Sequence, residues 1–306
     1  MTTICLVGCG AWGQFILRDL VTLGVRVYVI ARGERSRAVA LAGGAVGAFA
    51  DRSSVPEQID GFIVATPTST HASVMETLLE SNRPIFVEKP MTNDVEAARR
   101  LVKAAASRIF VMDKWRYHPG IEALRDCARS GALGRIEAIR TYRLGWGHPH
   151  LDVDAIWILM PHDLSIAYEI LGYLPEVKAA LSVAPGQGHW DMTAVLGGED
   201  GAPQVVAEVS TLHPARLRAA TVIGSEGGAA LDDSNSDHIL VTQGRAGNAP
   251  SKPSKIPTST ELPLFRELKA FLEHLRGGLP PRSSAAEGLV CVERIAAIRQ
   301  IAGLQP

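Results

Sequence analysis

Short, uninterrupted apolar runs alternate with segments of helical period through the first third of the chain. Residues 4–7, 61–65, 84–87 and 109–112 are such runs, and 25–31 is a mainly apolar one broken by Arg26. A strand covered on both faces has this character, with no polar alternation. Between the first two runs, Phe15, Ile16, Leu20, Val21 and Leu23 follow a pattern of helical period. Further helices are predicted over about 73–80 and 94–106. Such alternation predicts a doubly wound parallel sheet with right-handed crossovers. Residues 32–57 are rich in Ala and Gly, and the pattern there does not separate helix from loop.

After Trp115-Arg116-Tyr117-His118-Pro119 the pattern changes. A helix is predicted over 120–129, a strand over 136–144, and a helix over 155–171 stopped by Gly172. Short β-type segments follow at 177–183, 190–196, 204–212, 216–223 and 229–231. Consecutive strands without intervening helices predict an antiparallel or mixed sheet, hence a second domain. Residues 242–260, rich in Gly, Pro, Ser and Lys, read as a long exposed loop. Helices over 264–276 and 285–301 close the chain. The expected division is 1–118 and 119–306. Too few helices follow residue 118 to cover both faces of so many strands, so self-association as a dimer or tetramer through that sheet is expected.

The first apolar run leads into Gly8-Cys9-Gly10-Ala11-Trp12-Gly13, a G-x-G-x-x-G turn between strand and helix. In that context Gly8 makes the tight turn, Gly10 admits a pyrophosphate to the backbone, and Gly13 lets helix and strand pack closely. The turn therefore predicts dinucleotide binding, with Gly8, Gly10, Ala11, Trp12 and Gly13 as the contact segment. The second strand ends at Ala31 and is followed by Arg32. A guanidinium there suits the 2′-phosphate of NADP, whereas Glu34, two residues on, would suit the ribose of NAD. NADP is the expected cofactor, with NAD as the alternative.

A chain of 306 residues exceeds one typical core. With 31 Lys and Arg against 32 Asp and Glu, the net charge of −1 argues against a nucleic-acid surface or a polybasic membrane patch. The apolar runs are too short to span a bilayer, and no charged leader precedes the first strand, so the cytoplasm is the expected compartment. Cys5, Cys9, Cys127 and Cys291 have neither metal nor disulfide spacing.

Open parallel sheets bind ligands beyond the carboxyl ends of their strands. The third long apolar run leads into Thr66-Pro67-Thr68-Ser69-Thr70-His71, and the fourth into Glu88-Lys89-Pro90. A lysine at that strand end can exchange a proton with a carbinol oxygen during hydride transfer. The glycine turn, the Thr66-Pro67-x-x-x-His71 segment and Glu88-Lys89-Pro90 together resemble the glucose-fructose oxidoreductase/inositol dehydrogenase (Gfo/Idh/MocA) family. Arg116–Pro119, Gly131–Ile136 and the closing helices resemble it as well, so the likeness covers nearly the whole chain. It implies an α/β protein with an N-terminal Rossmann domain and an α+β domain carrying a large open, mostly antiparallel sheet. It also implies NAD(P)-dependent oxidoreduction of sugars, cyclitols or their derivatives, with Thr66, Pro67, His71, Glu88 and Lys89 beside the cofactor and Lys89 at the reaction centre.

The family's Asp-x-Gly-x-His segment corresponds to Ile158-Leu159-Met160-Pro161-His162. His162 fits its histidine, but Ile158 and Met160 stand where aspartate and glycine are expected. Asp163 is a poor replacement, because adjacent helical residues point about 100° apart. The candidate substrate-side residues are Lys89, Trp146, His148, Trp157, His162 and Asp163, with Lys89 and His162 as the catalytic pair. Alternate His and Asp at 148–154 could suggest a metal, but nothing else in the chain supports one, and none is expected. Asp154 reads as an N-cap. The expected reaction moves a hydride between a nicotinamide and a carbonyl or secondary alcohol of a sugar-like molecule. Alternatives are an NADPH-dependent imine or double-bond reductase, or a non-catalytic NADP-binding sensor.

Overall fold

A computed structural model describes residues 1–147, 152–182, 190–199, 201–244 and 252–305. The chain divides into two compact units, Met1–Lys114 with Leu262–Val292, and Trp115–Glu261 with Glu293–Pro306.

The first unit alternates strand and helix: β1 (Thr3–Val7), α1 (Ala11–Thr22), β2 (Arg26–Ile30), α2 (Glu34–Ala42), β3 (Gly47–Phe49), β4 (Gly61–Val64), α3 (His71–Leu78), β5 (Ile85–Glu88), α4 (Val95–Ala105) and β6 (Ile109–Met112). The strands form one parallel sheet in the order β3-β2-β1-β4-β5-β6. Strand order reverses between β1 and β4, and a crevice for ligands opens at such a switch point. Residues 32–57, unresolved by pattern, supply α2, β3 and a short 3-10 turn at Arg52–Ser54. Ile16, Leu17 and Leu20 of α1 pack with Ile4, Leu6, Val27 and Val29 in one core. Each such side chain, fully buried, contributes roughly 1.5–3 kcal/mol.

The second unit begins with α5 (Pro119–Arg129), β7 (Ile136–Trp146) and α6 (Ala155–Leu171). The strands β8 (Val177–Leu181), β9 (Asp191–Leu196), β10 (Gln204–Ser210), β11 (Leu212–Gly224), β12 (Gly227–Leu231), β13 (His238–Gln243) and β14 (Ser254–Pro257) follow. With β7 they make an eight-stranded sheet, ordered β14-β13-β12-β11-β7-β10-β9-β8. Only β7 and β10 pair in parallel. The expected loop over 242–260 is corrected in part: β14 lies within it and pairs antiparallel with β13, itself unforeseen. All four β14 residues are exposed, so main-chain hydrogen bonds hold it there without an apolar signature.

A single cut near residue 118 is the simplest partition of a linear pattern. The contacts instead return α7 (Pro263–Leu275) and the start of α8 (Ala285–Ile301) to the first unit. Leu264, Leu268, Phe271 and Leu272 of α7 join the first unit's core, and Phe271 stacks on Phe86 with ring centroids 4.8 Å apart. Among the described residues no helix is long and apolar enough to cross a membrane.

Candidate functional site

Each glycine of the β1–α1 turn meets a separate steric constraint. Gly8 has φ +101°, and a Cβ there would lie 2.4 Å from the Ala65 carbonyl oxygen. A Cβ on Gly13 would lie 2.4 Å from the Gly8 carbonyl oxygen. Gly10 differs, since a Cβ there would meet nothing within 4 Å. Gly10 is also the N-cap of α1 and makes no side-chain capping bond. Open space beside the uncapped N–H groups of a helix fits a pyrophosphate. Gly8, Gly10, Ala11, Trp12 and Gly13 are the residues that would hold it.

Just beyond β2, Arg32 is exposed and its guanidinium makes no hydrogen bond or ion pair among the described residues. Arg37 folds back instead, donating from Nη1 to the carbonyls of Ala31 at 3.0 Å and Arg32 at 2.6 Å. That leaves Arg32 at the strand end and Arg35 in the first turn of α2 as exposed guanidinium groups, with Glu34 exposed between them.

The strand ends next to the glycine turn are tied together. The buried ring of His71 spans two segments, Nδ1 lying 2.9 Å from the Pro90 carbonyl and Nε2 2.9 Å from the Thr66 carbonyl. Thr70 donates its hydroxyl to Thr66 at 2.9 Å and to the Pro67 carbonyl at 2.7 Å. Trp12 donates its indole N–H to the Glu88 carboxylate, and the Lys114 ammonium stands 4.2 Å from the Trp12 ring centroid. Burial pushes the Glu88 carboxyl up, opposed by Lys89, the Trp12 bond and Lys114. Lys89 follows Glu88 directly, half-buried, and a cis peptide joins it to Pro90.

Behind this cluster stands Glu267 of α7, which the sequence did not single out. It has no exposed surface, and neither carboxyl oxygen has a hydrogen-bond partner among the described residues. Burial first, then the charges of Glu88 and Asp113, hold its proton well above the ordinary glutamate range, with Lys114 opposing. The folded state thus binds this proton more tightly than the unfolded one. Its contribution to stability is complete below the ordinary glutamate pKa and is lost as pH rises through the folded value. Glu267→Gln cannot ionise, so it should exceed the parent in stability at about pH 8, the two converging near pH 4. Thermal melts across that range check this, and parallel curves would contradict it.

In the second unit, Asp154 caps α6 as expected, accepting from the N–H groups of Ile156 at 3.1 Å and Trp157 at 3.3 Å. His162, midway along that helix, is 9% exposed. Its ring meets Trp115 edge-on, centroids 6.4 Å apart, and Trp115 stacks on His118 at 5.0 Å. The Arg143 guanidinium lies 4.4 Å from the Trp115 ring centroid and donates from Nε to Asp163 Oδ2 at 2.7 Å. Asp163 is fully buried and committed to that arginine. Ile158 and Met160, at the positions of the family's aspartate and glycine, are buried in the core. Trp157 is buried against Arg299, whereas Trp146 is 76% exposed. His148 lies outside the described residues, as does His150. Lys89 belongs to the first unit and His162 to the second. Trp115, whose ring meets His162, and Arg143 on that tryptophan were not foreseen.

Residues 2–111 match the family described as "Oxidoreductase family, NAD-binding Rossmann fold". UDP-N-acetylglucosamine 3-dehydrogenase of Acidithiobacillus ferrooxidans is 35% identical over 149 residues, covering 47% of this chain and 46% of that protein. The match therefore spans about half of that relative. Inositol 2-dehydrogenase of Rhizobium meliloti is 25% identical over 260 residues, covering 80% of this chain and 79% of that protein. In fold, the chain resembles levoglucosan dehydrogenase in complex with NADH and levoglucosan, with a TM-score of 0.85 at 17% identity, covering 99% of this chain and 97% of that one. Over residues 2–111 the chain is therefore similar to the NAD-binding Rossmann unit of the Gfo/Idh/MocA oxidoreductases.

Proposed function

We propose that the protein moves a hydride between a nicotinamide dinucleotide and a carbonyl or secondary alcohol of a sugar-like small molecule. The observation that carries this reading is the join between cofactor turn and reaction lysine. Trp12, inside the glycine turn, bonds Glu88, and Glu88 precedes Lys89. The relatives, named for a nucleotide sugar, a cyclitol and levoglucosan, support the substrate class.

A bound nicotinamide supplies or accepts the hydride. Lys89 handles the proton: in reduction its ammonium protonates the carbonyl oxygen as negative charge develops there, and in oxidation its amine receives the alcohol proton. His162, in the second unit, is the residue we assign to substrate binding there. Glu88, held by Trp12, fixes the strand end from which Lys89 extends. A panel of sugars, cyclitols and their keto forms, followed by nicotinamide absorbance, tests the reading. Consumption of reduced cofactor only with imines or activated double bonds would overturn it.

The cofactor we propose is NADP, because Arg32 is exposed at the end of β2 without a protein partner among the described residues. NADPH should bind about tenfold or more tightly than NADH, and Arg32→Ala should erase the difference. Calorimetric titration with both cofactors decides it. A preference for NADH unchanged by the substitution would sink the assignment.

We further propose that the eight-stranded sheet associates with a second copy. One face is buried in alternation along β9 and β10. On the other, Tyr142, Val195, Val206, Ala219 and Ile223 are only half-buried within one chain. Covering them removes apolar area from water. Light scattering should give a dimer or tetramer, and a monomer at all practical concentrations would contradict this.

A further inference from the structure

Two arginines lie side by side on the helix-covered face of the second unit's sheet. Arg143 of β7 and Arg218 of β11 are cross-strand partners in register, so their side chains leave the same face. On β7 that face carries buried Ile139, Thr141 and Arg143. The Arg218 guanidinium lies over Gly145, where a Cβ would fall 3.9 Å from its Nη2.

Among the described residues, one buried carboxylate stands beside the two cations. Asp163 is taken by Arg143 at 2.7 Å. Arg218 donates to the main-chain carbonyls of Leu144 at 2.5 Å and Leu217 at 3.0 Å, and meets no carboxylate within ion-pairing distance among the described residues. Burial first, then the charges of Arg143 and Arg216, bring Arg218 down to about 10, with Asp163 and Asp233 opposing. It remains charged at neutral pH, half-buried and short of a counter-charge. A protein gains nothing in stability from such an arrangement, because a buried cation without a partner is costly. Through Arg143 and Trp115 the pair connects to His162.

We propose that Arg218, with Arg143 beside it, binds an oxyanion of the substrate, so that the molecule turned over is an anionic sugar derivative carrying a carboxylate or a phosphate. This rests on the oxidoreductase reading only for what happens to the molecule after it binds. A guanidinium offers paired N–H donors that match either oxyanion, and enclosure strengthens the attraction.

Binding is measured by calorimetry with NADPH in excess, so that the glycine turn is occupied. The probes are D-glucuronate, D-galactonate and D-glucose 6-phosphate, each against its neutral hexose. At least one anion should bind about tenfold or more tightly than the neutral sugar. Arg218→Gln should abolish that preference, and Arg218→Lys, which keeps the charge but not the fork, should retain part of it. Circular dichroism establishes that the variants fold, and the lysine variant still reads the charge if the glutamine variant does not. Which probe is favoured separates carboxylate from phosphate. Equal affinity for anions and neutral sugars in the parent, or a preference untouched in Arg218→Gln, would overturn the proposal. An anion preference lost in the variant but without any hydride transfer would leave this site standing and remove the oxidoreductase reading instead.

Discussion

Lys89→Met should leave cofactor affinity nearly unchanged and lower turnover by about two to four orders of magnitude, the range of general acid–base catalysis. Methionine keeps much of the side-chain length but has neither charge nor exchangeable proton. The neighbouring framework does not depend on the ammonium. His71 ties the Thr66 and Pro90 segments through main-chain carbonyls, and Glu88 retains the Trp12 bond. Equilibrium titration of the variant with reduced cofactor should therefore match the parent within a few-fold, while the steady-state rate collapses. His162→Asn should cost less if the histidine only orients the substrate oxygen. A rate for Lys89→Met within a few-fold of the parent, on a genuine substrate, would show that the lysine assignment is wrong.

Asp163→Asn should be the most destabilising single change in the second unit. The substitution keeps the shape of the side chain and removes the one buried carboxylate that Arg143 meets among the described residues. It leaves that guanidinium 4% exposed and unbalanced beside Arg218. Breaking a buried pair from one side typically costs about 3–5 kcal/mol. In a protein of this size the thermal midpoint should fall by about 10 °C. Burial holds the Asp163 carboxyl above its ordinary range although Arg143 pulls it down, and the loss of the carboxylate is felt through the stranded cation. The double variant Arg143→Met with Asp163→Leu should recover much of the deficit, since two apolar side chains of similar volume need no partner. Equal losses for the single and double variants would assign the effect to packing instead.

The sequence carried the parallel sheet and the glycine turn because both are local. Strands covered on two faces appear as unbroken apolar runs, and Gly8 and Gly13 answer to contacts within one strand–turn–helix unit or with the neighbouring strand end. Helix α6 was equally legible, with Asp154 at one end and Gly172 at φ +82° at the other. The return of α7 to the first unit left no local trace, because its apolar stripe says that it packs but not on what. Asp163 could be read as unsuited to the family aspartate's place, but not as the partner of Arg143, which lies on another element. The same holds for Trp12 with Glu88, 76 residues apart, and for the buried Glu267 behind them. A charged residue inside an otherwise β-type segment, as Arg143 is within 136–144, was the available signal that a buried counter-charge must exist. Composition misled at β14, where exposed Ser, Lys and Pro pair by backbone alone.

The most direct measurement of the central claim follows the hydride itself. NADPH carrying deuterium at the transferable position of its nicotinamide is incubated with the parent protein, the Lys89→Met variant and keto sugars, neutral and anionic. Mass spectrometry of the products then counts the label. The account predicts one deuterium in the alcohol product for each cofactor oxidised by the parent, and transfer slowed by orders of magnitude in the variant. Cofactor that binds tightly to the parent yet passes no label to any carbonyl in the panel would contradict it.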